Sequence, residues 1–580
     1  MRKRTGGLGR GPWHVGVAAI VALSIAAACT GGNAEERTAP EDTPRPSQAP
    51  IQGRAAIASP EAVTKAPDGW FEAACDLPLE QLKRVRRGYV PGRSPELLVV
   101  PREPHYFGSF ASYTHSGPWD YVQKIPMVFY GPGFIAEQGE ITLDRETTIA
   151  DVAPTLAELL DTPFPGGRPG KPVTEALLPE EERNGIPKLI VTVVWDGGGW
   201  NVLEAWPDSW PYLKKMMEKG TSVGNAEVGS SPSVTPAVHT NLGTGAFPKQ
   251  HGIVDIPVRE GLEIFGAYDG FTPRFLQVPT LADLYDRRTG NEAKIGMFAY
   301  KPWHLGMIGH GSYVPGGDKD IAFISEKFAG DLKTNPDYYY LPPYLEDVEG
   351  FEEDVRKVDL DDGKVDDVWM GHEVLDDPNE LRHTPAWALY QTRLLKAVIE
   401  GEDFGADDVA DMFFINYKQV DDVGHDWNML NPEMREILVY SDAELKKIVR
   451  FLNDEVGENQ WVLAFTADHG QGPDPKAVGA WPIGQALIEE DMAAEFDVDT
   501  SELFQDRRPV GWWIHPEVSE ATGVTAEDLA DFLVRYRLED NKRPDPIPDE
   551  YRGMEDTLLF AAAFPSDALP RIWHCAKQKA

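Results

Sequence analysis

Three stretches of the chain, 189–195, 412–417 and 461–466, are apolar at nearly every position, without strict alternation of polar and apolar residues. A strand with one wet face alternates, whereas a strand covered on both faces does not. Further strand-like runs lie at 96–100, 126–130 and 294–299, and helical patterns occur at 149–160, 210–219, 385–399, 435–453 and 526–536. Thr384 before Pro385 has the chemistry of an N-cap followed by a first helical residue. This alternation predicts a three-layer α/β/α sandwich with a mainly parallel central sheet. The stretch 311–383 is acidic, rich in Tyr and Pro, and lacks such regularity, so it reads as a cap insertion.

The first residues have the character of an export signal. Arg2, Lys3 and Arg4 precede an apolar stretch over 15–28. At about 14 residues this suits a signal core and is short for a bilayer span. Leu23-Ser-Ile-Ala-Ala-Ala-Cys29 resembles a bacterial lipobox, which makes Cys29 the expected lipidation site, with ordinary signal cleavage nearby as the alternative. No other stretch is long enough for a transmembrane helix, so any membrane attachment is by lipid anchor only. The expected location is the outer face of the cell membrane, or the medium. Residues 30–68, rich in Pro, Ala, Thr and Glu, read as a flexible tether. The formal net charge of −39 repels nucleic acid and excludes it as a partner. Two further cysteines, Cys75 and Cys575, can pair in an exported protein, but their positions alone leave the pairing open.

Parallel-sheet enzymes carry their sites at the carboxyl ends of strands. Asp196 follows the 189–195 run and precedes three glycines. Thr235 before Pro236 reads as N-cap and first residue of a short helix, where free N–H groups and the dipole favour an anion. A hydroxyl placed there is a capping group or a nucleophile. Asp421 and His425 follow the 412–417 run, and Asp468-His469-Gly470 follows the 461–466 run. Carboxylate with imidazole suits zinc. Each pair alone is equally a solvated turn; both pairs behind buried strands, with Asp196 and Thr235, point to a metal centre.

Together these pieces resemble the alkaline phosphatase superfamily, in its type I phosphodiesterase/nucleotide pyrophosphatase-like branch. The matching motifs are Asp196, Thr235-Pro…His239…Thr244-Gly245, Pro248-Lys-Gln-His251-Gly-Ile, Asp421…Gly424-His425 and Thr466-Ala-Asp468-His469-Gly470, in the family's order. The resemblance implies Thr235 as nucleophile and two Zn²⁺ ions, with another divalent metal as the alternative in one site. Asp196, Asp468, His469 and the Thr235 hydroxyl would hold one ion. Asp421 and His425 would hold the other, with one further His. The family places that His near the end of the domain, where only His515 and His574 are available and neither has the expected setting. The setting occurs instead at the front, in Tyr113-Thr-His115-Ser-Gly117 followed by Ile125-Pro-Met-Val-Phe-Tyr130 and Thr148-Ile-Ala-Asp151.

The chain therefore resembles a circular permutation of the family, which neighbouring termini make physically tolerable. Residues 69–185 would be the customary final section carried at the front, 186–310 and 384–580 the rest of the core, and His115 the missing ligand. That order would also bring Cys75 to Cys575 as a disulfide. Lys301 would assist at a phosphoryl oxygen. The implied function is hydrolysis of a small phosphate ester through a phospho-threonine. A sulfatase or phosphotransferase on the same fold, or a non-catalytic surface protein, stands as the alternative. Two positions depart from the family pattern. Ile256 stands where diesterases have Asn, and Trp303 where some monoesterases have Arg, which leaves the preference between mono- and diesters open.

Overall fold

Strand Leu189–Trp195 runs through the middle of a nine-stranded sheet, between Asp411–Tyr417 on one side and Trp461–Thr466 on the other, parallel to both. The computed structural model describes residues 53–57, 61–326, 331–542 and 547–580. The stretch read as an export signal, Cys29 and most of the expected tether lie outside them. Beyond Asp411–Tyr417 come Ile295–Ala299 and Ile321–Ser325, also parallel, and then the antiparallel edge strand Leu332–Lys333.

The central strand shows why its sequence does not alternate. All seven of its residues are buried. Leu189, Val191 and Val193 enter one apolar core, and Ile190 and Val194 enter another on the opposite face. Helices Pro211–Lys219, Pro385–Gly401 and Pro432–Leu452 supply residues to the first core, and Val152–Leu159 and Leu281–Thr289 to the second. Each aliphatic side chain buried this way contributes about 1.5–3 kcal/mol. A three-layer α/β/α arrangement follows from a strand that must hide both faces.

The sheet is mixed rather than uniformly parallel on its other flank. Strand Met127–Tyr130 pairs antiparallel with Trp461–Thr466, with Met127 opposite Thr466 and Tyr130 opposite Leu463. Thr221–Val223 and Gly139–Ile141 complete that side. The front section of the chain is thus built into the sheet beside the strand that carries Asp468 and His469.

Two expectations change. The run expected at 96–100 is a strand, Leu97–Pro101, but it lies outside the central sheet. It pairs antiparallel with Phe560–Pro565 and Gly511–Ile514 in a separate four-stranded sheet. All five of its residues are buried, and Leu97, Leu98, Val99 and Val100 join an apolar cluster separate from those of the central sheet, so its sequence has the same character as a core strand. The cap expected over 311–383 is also not wholly outside the core. Ile321–Ser325 is fully buried and joins the central sheet. The remainder holds the helix Phe351–Asp359 and the small hairpin of Val368–Trp369 with His372–Glu373.

Cys75 ends the helix Trp70–Cys75 and Cys575 lies in the helix Leu569–Lys579; the two form a disulfide with Cα atoms 5.7 Å apart. Among the described residues no helix is long and apolar enough to cross a membrane.

Candidate active site

Three carboxylates converge where the parallel strands end. Asp196 follows Leu189–Trp195, Asp421 lies in the helix Gln419–Trp427 that follows Asp411–Tyr417, and Asp468 follows Trp461–Thr466. All three are at most 1% exposed. Burying three ionised carboxylates together is costly unless cations accompany them. The turn after Asp196 depends on glycine. Gly197 has φ of +72°, and a Cβ there would lie 2.1 Å from Gln471 Nε2. Its N–H donates to Asp468 Oδ1 at 2.9 Å, fixing that carboxylate against the first.

The imidazoles are oriented in a common way. Nδ1 of His115, His425 and His469 each meets a backbone carbonyl, of Ser233, Tyr113 and Gly470, at 2.9, 2.5 and 3.0 Å. With Nδ1–H donating, the lone pair is on Nε2, the arrangement of histidines that bind metal. Those Nε2 atoms face the carboxylates. His115 Nε2 and His425 Nε2 lie 3.5 Å from Asp421 Oδ1 and Oδ2 respectively. His469 Nε2 lies 3.2 Å from Asp468 Oδ2 and 3.6 Å from Asp196 Oδ1.

Ligand atoms of His115, Asp421 and His425 gather within 4.8 Å of one another, as do those of Asp196, Asp421 and His469. Asp468 Oδ2 and His469 Nε2 are buried with no hydrogen-bond partner. Hard oxygen and borderline nitrogen donors, two of them orphaned in the interior, fit divalent cations such as zinc. Asp196 forms a third group with His239 and His304, whose Nε2 lies 3.4 Å from Asp196 Oδ2.

Thr235 begins the helix Thr235–Thr244 rather than capping it; Val234 is the N-cap, one residue earlier than the sequence implies, and Pro236 is the second helical residue. The Thr235 side chain is buried and faces Lys418, with Oγ1 3.5 Å from Nζ.

Sequence reasoning missed Lys418. Its ammonium is 2.5 Å from Asp421 Oδ2 and 3.0 Å from Asp196 Oδ1, so it bridges carboxylates from both groups. Burial disfavours its charge, but Asp196 and Asp421 outweigh burial and raise its pKa well above the ordinary lysine value. Burial likewise opposes ionisation of Asp196, yet Lys418 and the surrounding histidines hold it well below the usual carboxylate range. Asp421 is lowered by the same contest, with Lys418 and His425 prevailing. His469 is pushed up to about 9, because Asp468 more than offsets burial, so a cation bound at Nε2 would displace a proton from it. His115 is lowered by burial and by His469 beside it, which keeps it a neutral donor.

Other residues hold this arrangement. Asn416 Nδ2 donates to Asp196 Oδ2 at 2.9 Å, and Gln471 Nε2 to Asp421 Oδ1 at 2.8 Å. Lys301 stands apart. Its Nζ lies over the Trp303 ring at 4.5 Å, and no hydrogen bond or ion pair joins it to Asp196, Thr235 or Asp421 among the described residues. His515 caps the helix Pro516–Thr522, and His574 is paired with Gln578.

The sequence profile of the type I phosphodiesterase / nucleotide pyrophosphatase family matches residues 190–580. The chain is 22% identical over 383 residues to alkaline phosphatase PafA of Elizabethkingia meningoseptica, covering 57% of this chain and 69% of the relative. It is 22% identical to a protein of Myroides odoratus named calcium-transporting ATPase, over 50% of this chain and 61% of that one. It is 20% identical to alkaline phosphatase PhoV of Synechococcus elongatus, over 49% and 59%. The crystal structure of wild-type PafA superposes with a TM-score of 0.50 and 19% identity, covering 65% of this chain and 84% of that one, and shares its fold.

Proposed function

The chain belongs to the type I phosphodiesterase / nucleotide pyrophosphatase family, a branch of the alkaline phosphatase superfamily, and from that premise we propose that it hydrolyses small phosphate esters through the Thr235 hydroxyl at a centre for two divalent cations, zinc by preference. The observation that carries this reading is the common orientation of His115, His425 and His469, each holding Nδ1 on a backbone carbonyl and turning Nε2 toward buried aspartates.

Asp196, Asp468 and His469, with Thr235, would hold one cation, and Asp421, His425 and His115 the other. Such cations supply positive charge that favours an ionised hydroxyl and offsets charge gathering on a phosphoryl group. The chain's own residues do the rest. The Thr235 oxygen, as alkoxide, attacks phosphorus and forms an O–P bond while the ester oxygen leaves and is protonated from water. A water oxygen then attacks the same phosphorus, breaks the bond to Thr235, and releases phosphate, or a monoester if the substrate was a diester. Lys418 Nζ, within 3.5 Å of Thr235 Oγ1, supports the alkoxide by charge. The first N–H groups of the helix Thr235–Thr244 favour a phosphoryl oxygen beside it. Lys301 is the further donor implied by the family resemblance.

The same reading takes 69–185 as the family's final section carried at the front. The match beginning at residue 190, the pairing of Met127–Tyr130 with Trp461–Thr466, and the Cys75–Cys575 disulfide support it. Export with a lipid at Cys29 belongs to it as well, resting on the Arg2-Lys3-Arg4 start and the lipobox-like residues. Phosphate mono-, di- and sulfate-ester substrates, assayed before chelation, after it and after zinc return, test the proposal. Phosphate-ester turnover lost with chelator and restored by zinc is expected; turnover indifferent to chelator, or confined to sulfate esters, overturns it.

A further inference from the structure

A second set of carboxylates lies at the opposite edge of the sheet. Asp320 immediately precedes strand Ile321–Ser325, which runs parallel to Ile295–Ala299 and, through the sheet, to Leu189–Trp195. It is therefore at the amino ends of strands whose carboxyl ends carry Asp196, Asp421 and Asp468. Asp318 stands two residues before it, and Asp286 lies in the last turn of helix Leu281–Thr289. One carboxylate oxygen from each of the three falls within 4.8 Å of the others.

Two of these side chains are deeply buried, and the nearby Arg287 offsets this for Asp286 only in part. Asp286 is 5% exposed and Asp320 8%, and Asp286 Oδ1 has no hydrogen-bond partner. Among the described residues no lysine or arginine forms an ion pair with any of the three. Arg288, beside Asp286 on the helix, is turned to Asp161 at 3.0 Å. Asp283, one turn earlier, is engaged by the N–H and ring of His310 at 2.8 and 2.9 Å. The helix end adds its own partial negative charge to the cluster. Left as they are, burial and then the neighbouring carboxylates push Asp286 up to about 7 and Asp320 well above the usual range. The cluster must therefore take up protons or a cation.

We propose that Asp286, Asp318 and Asp320 bind a calcium ion that ties the end of helix Leu281–Thr289 to the loop entering strand Ile321–Ser325. An all-oxygen set with no imidazole or thiolate selects a hard cation. Two of the ligands, Asp318 and Asp320, come from the segment that enters strand Ile321–Ser325 rather than from a helix or strand, and calcium's variable geometry suits such irregular backbone better than magnesium's octahedron does. Asp318 is exposed and gives the ion its entry. The site is independent of the zinc centre, and the helix it would anchor packs on Thr235–Thr244.

The test uses zinc-loaded full-length protein in calcium-free buffer, with calcium chloride added up to millimolar levels. Equilibrium dialysis counts bound calcium, and thermal unfolding follows its effect. One calcium per chain beyond the zinc complement is expected, with a rise in Tm. Asp320→Asn and Asp286→Asn should each weaken calcium binding by about tenfold or more. In calcium-free buffer they should melt no lower than wild type, because each removes one of three repelling carboxylates. Asp318→Asn, at an exposed position, gives the same reading should the buried variants fail to fold. No calcium uptake by wild type, the outcome of protonated carboxylates only, overturns the proposal. Undiminished uptake by Asp318→Asn together with either foldable buried variant does so too.

Discussion

The imidazoles of His115 and His469 stack face to face, with ring centroids 3.6 Å apart and planes inclined by 11°. His469 follows the strand Trp461–Thr466, and His115 precedes the strand Met127–Tyr130 that pairs with it. The contact joins the front section of the chain to its last parallel strand, and it borders both candidate cation groups.

Replacing His115 tests that junction. His115→Ala should retain one of two bound zinc ions and lose affinity for the other by about 10²-fold or more. Elemental analysis after zinc loading and gel filtration reads this directly. Two ions held as tightly as in wild type would move the ligand elsewhere.

Lys418 separates charge support from packing. Lys418→Met keeps the stem and removes the ammonium that faces Asp196, Asp421 and Thr235. With zinc restored, kcat/KM should fall by about 10²-fold, as when one preorganised donor is lost. Lys301→Met should fall less, since the Lys301 ammonium lies over Trp303. Equal losses in the two variants would contradict the role given to Lys418.

Much of this centre is legible in the sequence. Asp196, Asp421 and Asp468 each follow an apolar run whose two-faced burial sets its carboxyl end at the candidate site. His115 is different, because its spacing from the other ligands carries no signal; only the order of family motifs points to it. Lys418 was missed because a lysine after a strand reads as solvated. Its signal was available: it directly follows the buried Tyr417 and stands three residues before Asp421, between the strand and the motif. Leu97–Pro101 misleads for the opposite reason. A small sheet packed on both faces produces the same apolar run as a strand of the central one.

Acid–base behaviour gives a further check beside the centre, where Asp426 directly follows the candidate ligand His425. His383 is buried between Glu380 at 3.1 Å and Asp426 at 3.0 Å. Burial disfavours its charge, but Asp426 and Glu380 more than offset it and push its pKa up to about 9. A raised folded-state pKa contributes stability that is complete below about pH 6.5 and lost as pH rises through about 9. His383→Gln should therefore cost about 1–3 kcal/mol more at pH 6 than at pH 9.5, toward the lower figure because Asp426 is partly exposed. Urea unfolding at the two pH values measures it. An equal cost at both would show that His383 is not charged in the folded chain.

The Cys75–Cys575 disulfide closes almost the whole described chain into one loop. Cys75→Ser with Cys575→Ser should lower unfolding stability by about 2–5 kcal/mol, with catalytic rates little changed, since neither residue is near the carboxylates. Chemical denaturation of oxidised protein and double variant decides it, and equal midpoints would contradict it.

The central claim is that Thr235 itself accepts the phosphoryl group. Thr235→Ala should retain its metal and lose about 10³-fold or more in turnover. The most direct measurement is peptide mass mapping of zinc-loaded protein, acid-quenched while turning over a phosphate ester. The account predicts one phosphoryl group on Thr235, absent from Thr235→Ala. A phosphoryl group on Ser233 instead, or undiminished turnover by Thr235→Ala with no adduct at all, would contradict it.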